Sequence, residues 1–426
     1  MTGQPPDRNI VRGHRPRLQH QPAGRPVHPF LWMILYLPFG ATTGFVSVTI
    51  AYTARQQGMG DAAIAGLVAM TLLPHTFKFL WAPIPDTSFS RRGWYLFSNV
   101  LSTITLISLG LIPVRSSTTD ILKLLIFVNS FAITFLGMAV EGLLAHVVSD
   151  TQRGAASGWL QAGNLGGTGI GGGFALWLAQ RIGASAAFTI AAVGLLACSL
   201  CLLKIHEPPR QRHESAWDAV RDVVADFWHT ILRSRTGILA MILCFLPVGS
   251  AAATNLFAAM ADRWHTSADA VALYTGVLAG IVSAIGCLAG GWLSDRMDRK
   301  AAYAVTGVFL ALVAGGMYLG PRTQAGYAIF TLSYQFGSGL AYGAFTGFVL
   351  EAIGRGAAAT KYNVLASLSN IPIWYMTQVD GWASERWNPG VMLLVDAAAE
   401  IIGVVLFLAA AYLLLRSTRK VAVVEL

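Results

Sequence analysis

The sequence predicts an all-α integral membrane protein whose chain crosses the bilayer twelve times, as two six-helix halves, with both termini on the cytoplasmic side. Three observations carry that expectation. Of 426 residues, 54% are hydrophobic and only 12% charged, against about 25% charged in soluble domains. The charges gather in short clusters between apolar runs of the roughly 20 residues that a spanning helix needs. Short motifs also recur at an offset of nearly half the chain.

In chain order, residues 1–27 are rich in Arg, His and Pro and lack an apolar core, so they read as a basic cytoplasmic tail and no cleaved secretory signal is expected. A basic tail beside a first span serves topology and anionic lipid headgroups more often than nucleic acid, and no nucleic-acid partner is expected. The first half, 28–205, holds candidate spans at 28–53, 62–84, 94–113, 121–146, 155–180 and 184–204. Residues 206–236 have the composition of a cytoplasmic linker. Within it Ser215 is placed to cap a helix on which Trp217, Val220, Val224, Phe227 and Ile231 recur at spacings of three and four, while Asp218, Arg221, Asp222 and Asp226 take other faces. That pattern fits an amphipathic helix lying along the membrane surface. The second half, 237–415, holds spans at 237–260, 268–293, 301–320, 324–352, 362–383 and 391–415, and residues 416–426 form a C-terminal cytoplasmic tail. With the N-terminus inside, the cytoplasmic segments carry 22 of the 30 Lys and Arg residues and the opposite face seven, the bias that sets orientation. Lys78 alone is left within a span.

The repeats are collinear. LPFG at Leu37–Gly40 returns as LPVG at Leu246–Gly249, 209 positions on, and Asp86 with Arg91 returns at the same offset as Asp295 with Lys300. Glu141 meets Glu351 at an offset of 210, and RGAA from Arg153 recurs from Arg355 at 202. Four matches in order argue for a duplicated half. Pro38 with Gly40, and Pro247 with Gly249, sit in the first helix of each half, where they are expected to act as hinges.

Gly290–Lys300, GGWLSDRMDRK, resembles the signature loop of the major facilitator superfamily, a Gly-x-Leu-x-Asp-Arg-x-x-Arg-Lys pattern between the second and third helices of each half. The resemblance implies that superfamily's fold. It also places Asp86, Arg91, Arg92, Asp295, Arg299 and Lys300 in loops whose contacts gate one side. The stretch LLPHTFKFLWAPIPD, ending at Asp86, resembles the second-helix signature of the AmpG-type muropeptide permeases and their acetyl-coenzyme A transporter relatives. ATKYNVLASLSNIP at Ala359–Pro372 is similar to that family's string entering the eleventh helix, and the spacing from Glu141 to Arg153 and Gly154 matches as well. Where the family usually has Asp, this chain has Glu141; Lys361 stands in place of Gln, and His75 is likewise its own. Siderophore permeases carry a similar Lys-Phe-Leu-Trp-Ala-Pro string.

The resemblance implies a permease of the bacterial inner membrane that imports a small organic solute by proton-coupled alternating access, with a muropeptide-like cargo ranked first. A siderophore importer on the same fold and a non-transporting membrane sensor or scaffold are the alternatives. Its expected partners are the solute, protons and membrane lipids, and it is expected to act as a monomer.

An ionised lysine in the bilayer is costly and needs an offset. Lys78 either faces a central cavity, binding an anion or pairing with an acid, or snorkels to the headgroups. His75 lies on the same helical face, and Tyr36, Trp81 and Asn370 complete the expected solute-binding set. Glu141, shielded from water, is suited to taking up and releasing a proton as its neighbours change, with Glu351 as its repeat counterpart. Asp380, Asp396 and Glu400 fall in the last two spans, where the latter two are expected to face a neighbouring helix. The glycine-rich run Asn164–Gly173 lies inside a span, where glycines mean close helix packing rather than a phosphate loop. Cys198 and Cys201, like Cys244 and Cys287, also lie in apolar helices. No cofactor, metal site or enzymatic activity is expected.

Overall fold

In hydrocarbon a segment must satisfy its own backbone hydrogen bonds, so an apolar chain of this kind folds into helices. The computed structural model describes residues 28–59, 61–207, 216–267, 270–271, 273–354 and 357–422, and every regular element among them is helical. The basic tail 1–27, the Ser215 cap, Arg355 of the second RGAA and the last four residues of the C-terminal tail lie outside the described residues.

Among the described residues, eight helices are long and apolar enough to cross a membrane. In chain order the helices are α1 (Phe30–Ala54), α2 (Asp61–Phe77), α3 (Arg91–Leu111), α4 (Thr119–Val147), α5 (Arg153–Gly169), α6 (Ala184–Lys204) and α7 (Arg235–Leu243). They continue with α8 (Leu273–Arg296), α9 (Arg299–Leu319), α10 (Gln324–Ile353), α11 (Ala358–Leu368), α12 (Asn370–Arg386) and α13 (Pro389–Ala422). The eight long ones are α1, α3, α4, α6, α8, α9, α10 and α13.

The shorter helices have identifiable causes. After α2 the chain tightens at Lys78–Leu80 and re-forms as a short helix at Pro83–Thr87. α5 widens through the glycines of Ile170–Phe174 and resumes at Ala175–Ile182. The expected span 237–260 is broken: α7 stops at Leu243, the residue whose carbonyl Pro247 cannot bond. Gly249 (φ 69°) and Ala251 (φ 50°) then carry the chain through left-handed backbone. The span expected at 362–383 is likewise divided between α11 and α12, where Pro372 has no N–H for Leu368.

α5 is the packing hub. A Cβ at Gly163 or Gly167 would overlap the Met33 or Leu37 region of α1, and Gly158 abuts Gly291 and Cys287 of α8. α8 also packs on α10, α3 on α4 and α6, and α9 on α10 and α13, while α4 reaches α11.

The linker helix, Ala216–Phe227, is amphipathic and keeps Phe227 and Ile231 of the expected stripe but not Val224, while the side chains of Trp217 and Val220 lie outside the described residues. Val223, Phe227 and Ile231 turn inward at spacings of four, and Val224 is 62% exposed. Asp226, off that stripe as expected, is two-thirds buried. It packs with its helix against Pro83–Thr87 and α11.

Candidate functional site

Each buried charge should be traceable to a partner, because an uncompensated charge in low dielectric is expensive. Glu141, 1% exposed on α4, has two. The Tyr36 hydroxyl of α1 donates to its Oε1 at 2.5 Å, and Asn363 Nδ2 of α11 donates to its Oε2 at 2.8 Å. One carboxylate thus joins helices from early and late in the chain.

Lys78 lies in the tight turn after α2, 7% exposed. Its Nζ stands 5.9 Å from the centre of the Phe39 ring, and Glu141 acts on it electrostatically. The ion pairs formed among the described residues do not include it. Phe39 stacks on Tyr36 at 4.6 Å and meets the His75 ring edge-on at 5.0 Å. Tyr36, His75, Lys78 and Glu141 are therefore neighbours around Phe39. The His75 Nε2 is buried without a hydrogen-bond partner.

Two other expected residues sit elsewhere. Trp81 donates from Nε1 to Thr134 Oγ1 at 3.0 Å and packs on Phe131, which braces it against α4. Asn370 is exposed at the head of α12. Glu351 pairs with Arg299 at 2.9 Å, and that arginine also donates to the Asp150 carbonyl at 2.6 Å.

Sequence reasoning missed the residues that continue the site across the molecule. Gln161 Nε2 of α5 donates to Thr346 Oγ1 of α10 at 2.9 Å and to the Tyr362 hydroxyl of α11 at 3.2 Å. Tyr362 in turn interacts electrostatically with Glu141. Asn363 and Tyr362 fall within the ATKYNVLASLSNIP stretch, and that was the signal available for them.

Hydrogen bonds and ion pairs cross the linker end of the bundle. Asp86 Oδ2 accepts the Thr360 N–H at 2.8 Å and its hydroxyl at 2.9 Å. Asp86 also pairs with Arg91 at 3.6 Å, and Arg91 and Arg92 donate their N–H groups to Glu207. Asp295 accepts the N–H groups of Gly154 and Ala155 at 2.7 and 2.6 Å, at the start of α5, where the helix dipole favours an anion. Lys300 pairs with Asp298 at 2.8 Å.

Lys361, 1% exposed, is bound by Asp226 of the linker helix at 2.7 Å. Burial would raise the Asp226 carboxyl, but hydrogen bonds from Lys361 and from the Ala357 N–H outweigh it and hold the group below the usual carboxylate range. Of the expected hinges, Pro38 lies inside α1. Gly40 lies so close to α5 that a Cβ there would overlap the Asn164 carbonyl. Pro247 and Gly249 lie in the broken segment after α7.

The sequence profile of the Major Facilitator Superfamily matches residues 32–373. The anhydromuropeptide permease of Escherichia coli (strain K12) is 23% identical over 366 residues, covering 82% of this chain and 72% of that protein. Among solved structures, a fucose:proton symporter of E. coli superposes with a TM-score of 0.67 at 15% identity, covering 90% of this chain and 98% of that one. A human organic anion transporter gives 0.66 at 16% identity, covering 91% and 100%. With the profile spanning most of its length and helices that fold alike, the chain belongs to the Major Facilitator Superfamily, as a multi-pass transporter of the bacterial inner membrane similar to the AmpG-type permeases.

Proposed function

We propose that this transporter imports a muropeptide-like solute by proton-coupled alternating access. The observation that supports it best is the buried Glu141 carboxylate, bonded to Tyr36 on one side and Asn363 on the other, with the Lys78 charge acting on it. Ionised, Glu141 accepts both hydrogen bonds and ties α4 to α11. A proton on it converts one acceptor oxygen to a donor and weakens that tie. An anionic group of the solute then has Lys78 as its anchor, with Tyr36 and His75 beside it. The similarity to the anhydromuropeptide permease supports that solute class.

In this reading the chain crosses the membrane twelve times, α2, α5, α7 and the pair α11 and α12 supplying the short or broken crossings. The linker end and both termini are cytoplasmic. Halves 28–205 and 237–415 rock about Pro38–Gly40 and Pro247–Gly249. Asp86, Arg91, Arg92, Asp295, Arg299 and Lys300, joined by Glu351, form the cytoplasmic gate. Trp81 braces α2, Asn370 meets the solute path, and the protein works as a monomer in its lipids.

The test is uptake into right-side-out and inverted vesicles of a labelled anhydromuropeptide and a labelled ferric siderophore, with and without a protonophore, in wild type and Glu141→Gln. Protonophore-sensitive muropeptide uptake that Glu141→Gln loses is the expected result. Siderophore uptake alone would replace the cargo, and movement of neither solute in well-inserted protein would remove the transport reading.

A further inference from the structure

A second group of buried acids lies apart from Glu141. Asp380 of α12 and Asp396 of α13 are fully buried, and Glu400 of α13 is 1% exposed. They act on one another electrostatically, and the ion pairs among the described residues include none of them. Both Asp380 oxygens, Asp396 Oδ1 and Glu400 Oε1 are buried with no hydrogen-bond partner. Three carboxylates sealed from water without a counter-cation cannot all carry charge at tolerable cost.

The surroundings explain what a proton there would control. Glu400 Oε2 accepts the Gly249 N–H at 2.8 Å, so the acid holds the left-handed backbone at which the chain departs from α7. Asp396 Oδ2 accepts the Tyr334 hydroxyl of α10 at 2.6 Å. The groups facing Glu400 are Tyr303 of α9, Tyr334 of α10, Asp380 and Tyr375 of α12, and Asp396 of its own helix. None is a base that would remain cationic. Ser250, next to Gly249, has a buried hydroxyl without a partner. A cavity opens against the same segment, lined by Gly249, Ser250, Tyr303, Tyr342 and Ser369. Among the described residues no three ligating side chains are arranged to hold a metal ion, and a proton needs no more than one carboxylate oxygen.

We propose that Asp380, Asp396 and Glu400 form a second proton-binding site, whose occupancy sets the conformation of the broken segment after α7. A proton arriving from water adds to a carboxylate oxygen, removes its charge and turns that oxygen from acceptor to donor. The bond to Gly249 then weakens and the segment is freed to move. This goes beyond the assignment of Glu141 and does not depend on it.

Infrared difference spectra of the full chain in liposomes, taken between mildly acidic and mildly alkaline pH, test the proposal directly. Wild type should show a protonated-carboxyl component that is retained in Glu141→Gln and lost in Asp396→Asn and Glu400→Gln. Asp380→Asn removes no hydrogen bond seen in the structure, so it carries the test if the other variants fail to fold, and it too should reduce the component. Spectra unchanged across all three variants, or a component that follows sodium concentration at fixed pH, would overturn the proposal. Loss in Glu141→Gln alone would assign the proton to the other site.

Discussion

A buried lysine with no carboxylate at ion-pair distance costs about 2.5–3.5 kcal/mol or more in a membrane, so Lys78 has no structural excuse that its surroundings supply. The Phe39 ring returns a fraction of that through cation–π attraction. Removing a buried charge that has no ion-pair partner removes its desolvation cost and strands no opposite charge that it had paired. Lys78→Met should therefore insert and melt at or above the wild-type temperature while losing uptake of an anionic solute. Thermal unfolding beside vesicle uptake checks this, and a destabilised variant that still transports would make Lys78 structural. Lys78 and Glu141 were legible because a charge in an apolar run is conspicuous. Asn363, Gln161 and Tyr362 were not, since neutral polar residues are commonplace in spanning helices and only the fold brings α11 against α4.

At the scale of the helix, α5 and α8 meet backbone to backbone. A Cβ at Gly291 would overlap the Gly154 carbonyl and crowd Gly158, whereas Gly276 on the same α8 has nothing within 4 Å. Gly291→Ala should cost about 1–3 kcal/mol, and Gly276→Ala should leave the melting temperature near that of wild type. A matched change in both would show that close packing at Gly291 does not decide the outcome, since alanine favours the helix at either position. The packing role of the glycine-rich run was readable from its place inside a span, and Pro247 with Gly249 marked where the chain breaks. The linker helix was readable only as amphipathic: the hydrophobic spacing could not show that Asp226 would pair with Lys361, a residue far along the chain. That pair sets a pH dependence. The Asp226 carboxyl lies below its usual range, so its stabilisation is complete above the ordinary carboxylate pKa and is lost only as pH falls through the lowered one. Asp226→Asn leaves the Lys361 ammonium buried and should cost up to about 3 kcal/mol at neutral pH, reduced because Asp226 is a third exposed. The wild-type protein should hold its melting temperature to mildly acidic pH and then converge on the variant below about pH 4. Parallel pH profiles that never converge would show that Asp226 does not titrate as part of this pair.

Across the whole molecule the duplication acquires a mechanical meaning. Asp86 and Asp295, mates at an offset of 209, each grip the first turn of a helix in the opposite half: Asp86 binds Thr360 on α11, and Asp295 binds Gly154 and Ala155 on α5. The first RGAA motif opens α5, and the last alanine of the second, Ala358, opens α11. We propose that the repeat supplies a pair of equivalent latches across one seam, supported by these matched hydrogen bonds. Hydrogen bonds to a charged acceptor contribute about 1.5–3 kcal/mol each, and every 1.4 kcal/mol is a tenfold change in an equilibrium. Either Asp86→Asn or Asp295→Asn alone should then raise opening at the linker end about tenfold or more. The reporter is a cysteine at Ala359, fully buried in the α4–α11 seam, in a chain whose four native cysteines have been replaced. Its labelling rate by a thiol reagent should rise in both single variants and rise further in the double variant. Acceleration in only one would mean that the halves are not latched equivalently, and unchanged labelling in both would show that the seam is held by apolar packing and the aspartates merely cap the helices they touch.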